Sequence, residues 1–429
     1  MTTLTLPTLL VTPRRAARPA AACEMEVLVR IQPPDADPSA HRRPLNLALV
    51  IDRSGSMDGA PLEEAKRCAL AVVDRLAAED RLALIAYDQR VDVLAPSAPL
   101  RDRDALRRIL RGLRSGGQTA LFGGWHAGAQ QVLERARPDV LSRVMLLSDG
   151  QANHGEIDPG HIAGACAAAA ERGAATSTYG LGHHFNERLM TEMARRGGGQ
   201  AWYGETAADL AEPFNGELDL LGALFAQRVT LRAQVEPGVG LRPMNDHPEI
   251  AARTWRLPDL AYGAEAWALF SLAVPAASER LVTFSASYED LRGAPYELSV
   301  PPLVLPMVDD AGWRALVDDE LVLRRLAEVR AADLQDRARA AAACHDWETV
   351  RALLDQAREL ARHSPWLGQI VQSLTELEQA RESARFAKES TYAQYKLKQR
   401  LAPRVEGADP AVAEPAWLRR KRSQGRADG

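Results

Sequence analysis

The chain has 429 residues, and its 46% hydrophobic and 26% charged residues are typical of a folded protein with about two to four domains. Its formal net charge of −4 provides no general attraction to nucleic acid or to an anionic membrane surface. The four cysteines are widely spaced and form no CxxC pair, which argues against a disulfide framework and favours a reducing compartment.

The N-terminal segment does not have the pattern of a secretory signal. No basic segment precedes its short apolar run, which Pro7 and Thr8 interrupt. No apolar stretch approaches the roughly 20 residues that a membrane-spanning helix needs. The sequence therefore predicts a cytoplasmic protein.

Residues 1–43 contain two strand-like runs, near Thr3–Val11 and at Cys23–Ile31. The second run has the period of two that is typical of a half-buried strand. Its apolar phase is Met25, Val27, Val29 and Ile31, and its other phase is Glu24, Glu26, Leu28 and Arg30.

Residues 44–221 show apolar runs that alternate with helical patterns, which predicts an α/β domain with a doubly wound, Rossmann-like, largely parallel sheet. The predicted strands are Asn46–Ile51, Leu82–Tyr87, Val91–Leu94, Arg143–Leu147, Thr176–Gly180 and Ala201–Tyr203. The predicted helices are Pro61–Ala78, Asp102–Leu113, Leu121–Arg135, Pro159–Arg172, Asn186–Arg195 and Ala207–Leu221.

Residues 222–310 return to a β pattern. The predicted strands are Gln227–Glu236, Ala251–Leu257, Glu265–Val274, Arg280–Tyr288 and Tyr296–Leu305. Two N-terminal strands cannot bury their apolar faces alone, because an isolated hairpin is marginally stable at best. We therefore predict that they pair with these later strands in a β-sandwich, and that the α/β domain is inserted in this sandwich or flanked by it.

Residues 311–401 are predicted to be helical, with Asp346 and Ser364 as N-caps. A helical apolar stripe must be buried, so this region should pack on the β-domain or on a partner. Residues 402–429 are predicted to be a disordered, solvated basic tail, and binding of its basic run to nucleic acid, an acidic protein or a membrane surface is the alternative. The helical region 311–401 contains three predicted apolar stripes: Leu321, Leu326 and Val329; Val350, Leu353, Leu354, Ala357 and Leu360; and Leu367, Ile370, Val371, Leu374 and Leu377.

Three loops at the predicted carboxyl edge of the α/β sheet carry oxygen donors. Asp52, Ser54 and Ser56 alternate directly after one strand, Thr119 lies in a glycine-rich loop before a helix, and Asp149 follows another strand. Open α/β sheets bind ligands at this edge. Two carboxylates and three hydroxyls suit Mg²⁺, Mn²⁺ or Ca²⁺ rather than Zn²⁺.

This pattern resembles the metal-ion-dependent adhesion site of von Willebrand factor type A domains. The Asp-x-Ser-x-Ser motif, the threonine of Gly-Gly-x-Thr and the aspartate of Ser-Asp-Gly are similar to all five of its elements, and the resemblance covers about Pro44–Leu221. The runs at 116–125 and 147–153 resemble the bacterial members. The resemblance implies that Ser54, Ser56 and Thr119 ligate the ion directly, and that Asp52 and Asp149 often act through water.

Competing interpretations of these residues are weaker. The motif could be only a turn and a helix cap. A haloacid dehalogenase phosphatase needs a second aspartate at position 54, a nucleophile elbow needs Gly-x-Ser-x-Gly around Ser56, and the chain has no phosphate loop. We therefore predict that the protein is not an enzyme. His183 and His184 are interpreted as polar loop residues, with contact to a partner or a second metal as the alternative. Four tryptophans are interpreted as core or sheet-face aromatics: Trp125, Trp202, Trp255 and Trp267.

The sequence predicts a metal-dependent protein-binding module of the adhesion or scaffold type, in which a divalent ion captures an Asp or Glu of a partner. The C-terminal helices are a candidate site for a second partner, and nucleic acid is not expected. The alternative function is an adaptor subunit of an AAA+ ATPase or a chelatase-like machine, whose ATPase is a separate chain. Replacing Asp52 with alanine is expected to abolish binding and to spare the fold, because these loops should lie outside the core.

Overall fold

A computed structural model describes most of the chain, and contacts between Cα atoms divide it into two compact units. The outer unit comprises residues 1–40 and 224–418, and the inner unit comprises residues 41–223 and 419–429, so that most of the inner unit is inserted in the sequence of the outer one. The described residues are 6–34, 43–137, 139–149, 151–181, 186–204, 210, 214, 217–218, 221–262, 264–276, 278–383, 385–387, 389–391 and 402–403.

The inner unit has a six-stranded sheet in the order β6–β5–β4–β7–β8–β9. Five strands are parallel, and β6 at the edge is antiparallel to β5. The strands are β4 (Leu45–Asp52), β5 (Arg81–Tyr87), β6 (Val91–Pro99), β7 (Leu141–Ser148), β8 (Ala174–Leu181) and β9 (Gly198–Gly204). This sheet confirms the predicted doubly wound α/β fold.

Helices cover both faces of this sheet, since every residue of the central strand β4 is buried. On one face Val50 and Leu146 pack against α3, α4 and α5. Three of the helices are capped at their N-terminus by a side chain that accepts a backbone N–H of the first turn. The capping residues are Asp102, Asp158 and Asn186. The helices are α1 (Ala60–Arg75), α2 (Arg103–Arg111), α3 (Leu121–Leu133), α4 (Pro159–Glu171) and α5 (Glu187–Arg196). The predicted helix at 207–221 lies partly outside the described residues.

The outer unit contains two antiparallel sheets. The first has the order β1–β3–β15–β11, and the second has the order β12–β13–β10–β16–β17. Their strands are β1 (Thr8–Pro13), β3 (Cys23–Gln32), β10 (Leu224–Val235), β11 (Gly240–Pro243), β12 (Glu249–Ala251), β13 (Thr254–Arg256), β15 (Ala264–Val274), β16 (Arg280–Asp290) and β17 (Pro295–Ser299). Shorter strands are β2 (Arg18–Pro19), β14 (Leu260–Ala261), β18 (Leu303–Val304), β19 (Met307–Val308) and β20 (Ala402–Pro403).

The two sheets form a β-sandwich, because residues from both share one apolar core. Val29 and Phe270 of the first sheet and Leu231 and Phe284 of the second belong to it. Along β3, residues 23–31 pair with residues 266–274 of β15. The prediction that the N-terminal strands pair with later ones is confirmed.

Two predicted strands were too long. The segment Ala251–Leu257 does not form one strand, since Arg253 has a φ of 51° and turns the chain between β12 and β13. The segment Tyr296–Leu305 is also interrupted, at Pro301 and Pro302, which have no backbone N–H to donate to a neighbouring strand.

The C-terminal region is helical, as predicted, and its longest helix covers the outside of the sandwich. Its helices are α6 (Asp310–Ala315), α7 (Glu320–Ala343), α8 (Trp347–Leu360) and α9 (Pro365–Ala380). Leu326 and Val329 of α7 pack on Leu28, Trp267 and Leu269 of the first sheet. Leu28 is therefore apolar in the otherwise polar phase of β3, because α7 buries that face as well.

Polar contacts also hold α7 to the sheet. Arg325 lies 3.4 Å from a carboxylate oxygen of Glu265 and 3.0 Å from one of Glu328, and its guanidinium carbon is 4.8 Å from the Trp267 ring centroid. All four residues are buried. Such a paired, buried arrangement specifies how α7 sits on β15.

The predicted helix caps had different outcomes. The side chain of Asp346 accepts a bond from the Thr349 N–H, as expected. Ser364 stands at the N-cap position of α9 without a capping side-chain bond, and its hydroxyl instead donates to Glu328 at 3.5 Å.

At the C-terminus, Ala402 and Pro403 pair with the first residues of β15. The remainder of the predicted basic tail, residues 404–429, lies outside the described residues, as do His183 and His184. Within the part of the chain that the structure describes, no helix is long and apolar enough to cross a bilayer.

Candidate metal site

Two of the three donor loops start from neighbouring parallel strands. β4 ends at Asp52 and its neighbour β7 ends at Ser148, so both loops leave the same edge of the sheet. The Ser148 hydroxyl donates to Asp52 Oδ2 at 2.6 Å. The structure thus places Asp52 beside the strand end that leads into Asp149.

Asp52 is fully buried and densely hydrogen-bonded. Its carboxylate accepts bonds from the Ser54 N–H at 2.9 Å, from Ser148 and from the Tyr87 hydroxyl at 3.2 Å. Burial raises the pKa of Asp52 to about 6, the bonds from Ser148 and Ser54 oppose this rise, and the nearby charge of Asp149 adds to it. Asp52 therefore lies in the core, contrary to the expectation from the sequence, and alanine at this position would leave three donors without their acceptor, so we expect it to destabilise the fold.

Ser54 and Ser56 lie on a single 3-10 turn, Gly55–Met57. Met57 is completely buried and anchors this turn. The two serine hydroxyl oxygens are 3.1 Å apart, with Ser54 buried and Ser56 exposed. The turn therefore presents two adjacent oxygen atoms, one of which is open to solvent.

The Thr119 loop is tied to the serine loop by its backbone. The Gly116 N–H donates to the Arg53 carbonyl at 2.9 Å, and the Gly55 N–H donates to the Gly117 carbonyl at 3.0 Å. Gly117 has a φ of +79°, which favours glycine at this position. These bonds hold the two loops edge to edge.

The loop after β7 is tied to Thr119. The Asn153 side chain accepts the Thr119 N–H at 2.7 Å, while the N–H groups of Asn153 and His154 both donate to the Thr119 carbonyl at 3.2 Å. The Asp149 carbonyl accepts the N–H of Asn186, the capping residue of α5. All five predicted donors consequently lie on three loops that are bonded to one another.

The donor set fits a small hard cation. Neighbouring ligands in an octahedral Mg²⁺ shell with bonds of about 2.1 Å lie about 3 Å apart, close to the separation of the Ser54 and Ser56 oxygens. A cation would also offset the charge of Asp52 and Asp149, which otherwise disfavours ionisation of Asp52. Among the described residues no group of three or more His, Cys, Asp or Glu side chains could hold a metal.

Sequence reasoning missed the residues that support the donors. Tyr87 and Ser148 are the last residues of buried strands, and only the parallel pairing brings them to Asp52. Asn153 lies in the run 147–153 that carried the resemblance, but its contact with Thr119 depends on how the loop folds. A polar residue at the end of an apolar strand is the signal that could have identified Ser148.

Residues 46–215 match the family model of the von Willebrand factor type A domain. This segment is a von Willebrand factor type A domain. Domains of this family are generally protein-interaction modules rather than enzymes.

Two curated relatives share the A domain. The chain is 29% identical over 249 residues to the uncharacterized protein sll0103 of Synechocystis, with 58% of each chain covered. It is 33% identical over 129 residues to inter-alpha-trypsin inhibitor heavy chain H3 of Rattus norvegicus, covering 28% of this chain and 14% of that one. The matches thus span little more than half of the first relative and a small part of the second.

A solved structure has a similar fold over most of the chain. The von Willebrand factor type A protein from Catenulispora acidiphila superposes with a TM-score of 0.71, covering 91% of this chain and 98% of that one at 18% sequence identity. At this identity the likeness concerns the fold alone, and it includes the β-sandwich and the helical region as well as the A domain.

Proposed function

We propose that the A domain binds a divalent cation, Mg²⁺ or alternatively Mn²⁺ or Ca²⁺, and uses it to capture an acidic side chain of a partner protein. Ser54, Ser56 and Thr119 ligate the ion directly, and Asp52 and Asp149 contact it through water molecules. The observation that carries this proposal is the 3.1 Å pair of serine hydroxyls beside the buried carboxylate of Asp52.

The charge of the donor set explains why a partner carboxylate would bind. The three direct ligands are neutral hydroxyls and the two carboxylates act through water, so the protein places no anionic oxygen in contact with the ion. A hard cation held in this way prefers an anionic oxygen as its remaining ligand. Ser56 is exposed, which leaves the approach to that position open.

Calorimetry with Mg²⁺ tests the first step. We expect one Mg²⁺ per chain, with affinity reduced by about tenfold or more in Ser54→Ala and Asp149→Asn, because each removes a donor or its supporting charge. The matched control is Ser115→Ala, which removes a serine of the Thr119 loop that is hydrogen-bonded to Asp58 and is not a donor. Absence of binding of Mg²⁺, Mn²⁺ and Ca²⁺ to the wild type would refute the proposal.

The second step is tested with a displayed library of random peptides, selected on the full chain in Mg²⁺ and eluted with chelator. The peptides that elute should be enriched in Asp or Glu at one position, and Ser54→Ala should not retain them. Selected peptides that stay bound in chelator, or that show no acidic position, would contradict capture through the ion.

A further inference from the structure

Arg53 lies between two donor residues, yet its side chain binds aspartates of another segment. Its Nε is 3.0 Å from Asp88 Oδ2, and its Nη2 is 2.5 Å from Asp92 Oδ2. The side chains of Arg53 and Asp88 are only 17% and 18% exposed. Asp92 is 48% exposed, so the pair with Asp88, which has little solvent access, is the one that holds the guanidinium more firmly than an exposed ion pair would.

The backbone of the same residues connects the two loops that carry the hydroxyl donors. The Arg53 carbonyl accepts the Gly116 N–H at 2.9 Å, at the start of the Thr119 loop. The Asp88 carbonyl accepts the N–H of Ala120, the residue after Thr119, also at 2.9 Å. The carbonyls of Arg53 and Asp88 therefore bind the two ends of the Thr119 loop, and the ion pair between their side chains connects these two attachment points.

We propose that Arg53 is a positioning residue of the metal site, which clamps the serine loop to the Thr119 loop through Asp88. The inference rests on the proposed function for its effect on the ion, but the clamp itself exists without a metal. Asp88 is oriented for this role, since its other carboxylate oxygen accepts the Arg90 N–H at 2.7 Å.

The planar guanidinium, with several N–H donors in a fixed geometry, is important for this positioning role. One planar group donates to Asp88 and Asp92 at the same time, whereas a lysine ammonium is a point charge on a flexible stem. Arg53→Lys should consequently preserve the charge and only part of the clamp, and Arg53→Met should remove both while retaining much of the side-chain volume.

The experiment compares the full-length wild type, Arg53→Met, Arg53→Lys and a matched control, Arg107→Met. Arg107 also bridges two aspartates of the A domain, Asp74 at 2.6 Å and Asp104 at 2.7 Å, but it belongs to α2 and contacts no donor loop. Calorimetry should show Mg²⁺ affinity reduced by about tenfold in Arg53→Met, a typical effect of losing a residue that orients metal ligands. The Mg²⁺ affinity of Arg53→Lys should lie between those of Arg53→Met and the wild type, and the affinity of Arg107→Met should equal that of the wild type.

Amide hydrogen exchange in metal-free protein provides the second readout. The N–H groups of Gly55, Gly116 and Ala120 bridge the clamped loops, so they should exchange about tenfold faster in Arg53→Met than in the wild type or Arg107→Met. Amides in the middle of β4 should be unchanged in all variants, which shows that the domain remains folded.

The two readouts separate the inferences. If the wild type binds none of the three cations, the proposed function fails, and the exchange rates alone confirm or overturn the clamp. If the wild type binds one of them, the clamp requires both faster exchange and weaker binding of that cation in Arg53→Met. Unchanged exchange overturns it, and so does unchanged affinity.

Discussion

Among individual residues, Asp52 has the most unusual electrostatic environment of the five candidate donors. Burial and the neighbouring charge of Asp149 raise its pKa to about 6, although two serines donate hydrogen bonds to it. Its negative charge is therefore unfavourable in the metal-free protein and becomes favourable beside a cation. Proton and metal ion should compete for this site.

This competition predicts how Mg²⁺ affinity depends on pH. Asp52 is ionised above about pH 6 and takes up a proton below it, so affinity should be constant near pH 8 and fall as pH decreases through 6. At pH 5 the competition from one such proton weakens binding by about tenfold. Calorimetry at pH 8 and pH 5 measures the effect.

A histidine near the site could produce a similar pH dependence, so one variant serves as a control. His154 is exposed and contacts Thr119 only through its backbone N–H. His154→Gln should retain the full decrease in affinity. An affinity that is flat between pH 8 and pH 5, or a decrease that disappears in His154→Gln, would show that Asp52 is not the controlling group.

At this scale the sequence indicated the five candidate donors, which remain a prediction, but not the residues that hydrogen-bond to them. The donors occur in short motifs whose spacing is visible in one dimension. Tyr87, Ser148 and Arg53 act through contacts across strands and loops. The burial of Asp52 follows from those contacts, and this is why the sequence did not reveal that Asp52 lies in the core.

At the scale of elements, α3 lies unusually close to the sheet. A Cβ atom added to Gly128 would be 2.4 Å from Val50 Cγ2, and one added to Gly124 would be 2.3 Å from the Tyr87 ring. The two glycines therefore allow the helix that follows Thr119 to pack against β4 and β5.

Gly128→Ala should destabilise the A domain by about 1–3 kcal/mol, because the added methyl group overpacks the interface with Val50. The matched control is Gly164→Ala in α4, where the nearest atom would be 4.0 Å away and better helix propensity should stabilise by up to about 1 kcal/mol. Hydrogen exchange of the β4 amides measures both changes. Equal effects of the two substitutions would contradict the close packing.

The contact between α7 and the sandwich predicts a second pair of variants. Leu326 is 3% exposed and packs on the sheet, so Leu326→Ala should destabilise the outer unit by about 2–5 kcal/mol. Val317, which is 85% exposed just before α7, provides the control, and Val317→Ala should change stability by less than about 0.5 kcal/mol. The comparison is made from hydrogen exchange of the β15 amides, and a negligible effect of Leu326→Ala would show that α7 does not stabilise the sheet.

Most elements could be predicted because their apolar periods are long and regular. The exceptions depend on information that periodicity does not contain. Leu28 departs from the alternation of β3 because α7 covers the second face. The break at Arg253 depends on a local left-handed conformation, and the Ser364 hydroxyl is directed to Glu328 rather than positioned to accept a helix N–H.

At the scale of the whole molecule, the two units have separate apolar cores. Phe270 is buried in the sandwich between Trp255 and Phe284, with ring centroids 5.0 Å and 5.2 Å away. Phe270→Ala should destabilise the sandwich by about 3–5 kcal/mol and leave the Mg²⁺ affinity of the A domain within about twofold. If amide protection in the A domain decreased together with that in the sandwich, the two units would instead unfold as one cooperative unit.

The insertion of the α/β domain between the strands of the sandwich could be predicted from one energetic argument. Two short N-terminal strands needed partners, and the only other β-rich segment lay beyond the α/β domain. The order of strands within each sheet could not be obtained in this way. The placement of β11 beside β15, for example, depends on side-chain packing that no short pattern records.

The pairing of β3 with β15 also affects how the chain matures during its synthesis. Residues 23–31 emerge from the ribosome long before their partners at 266–274, whereas the six strands of the A domain lie together between Leu45 and Gly204. The A domain can therefore fold first, as expected for N-terminal segments during translation. Until β15 is made, β3 has only β1 to pair with, and its other edge stays open to pairing with another chain, which is a risk of aggregation during synthesis.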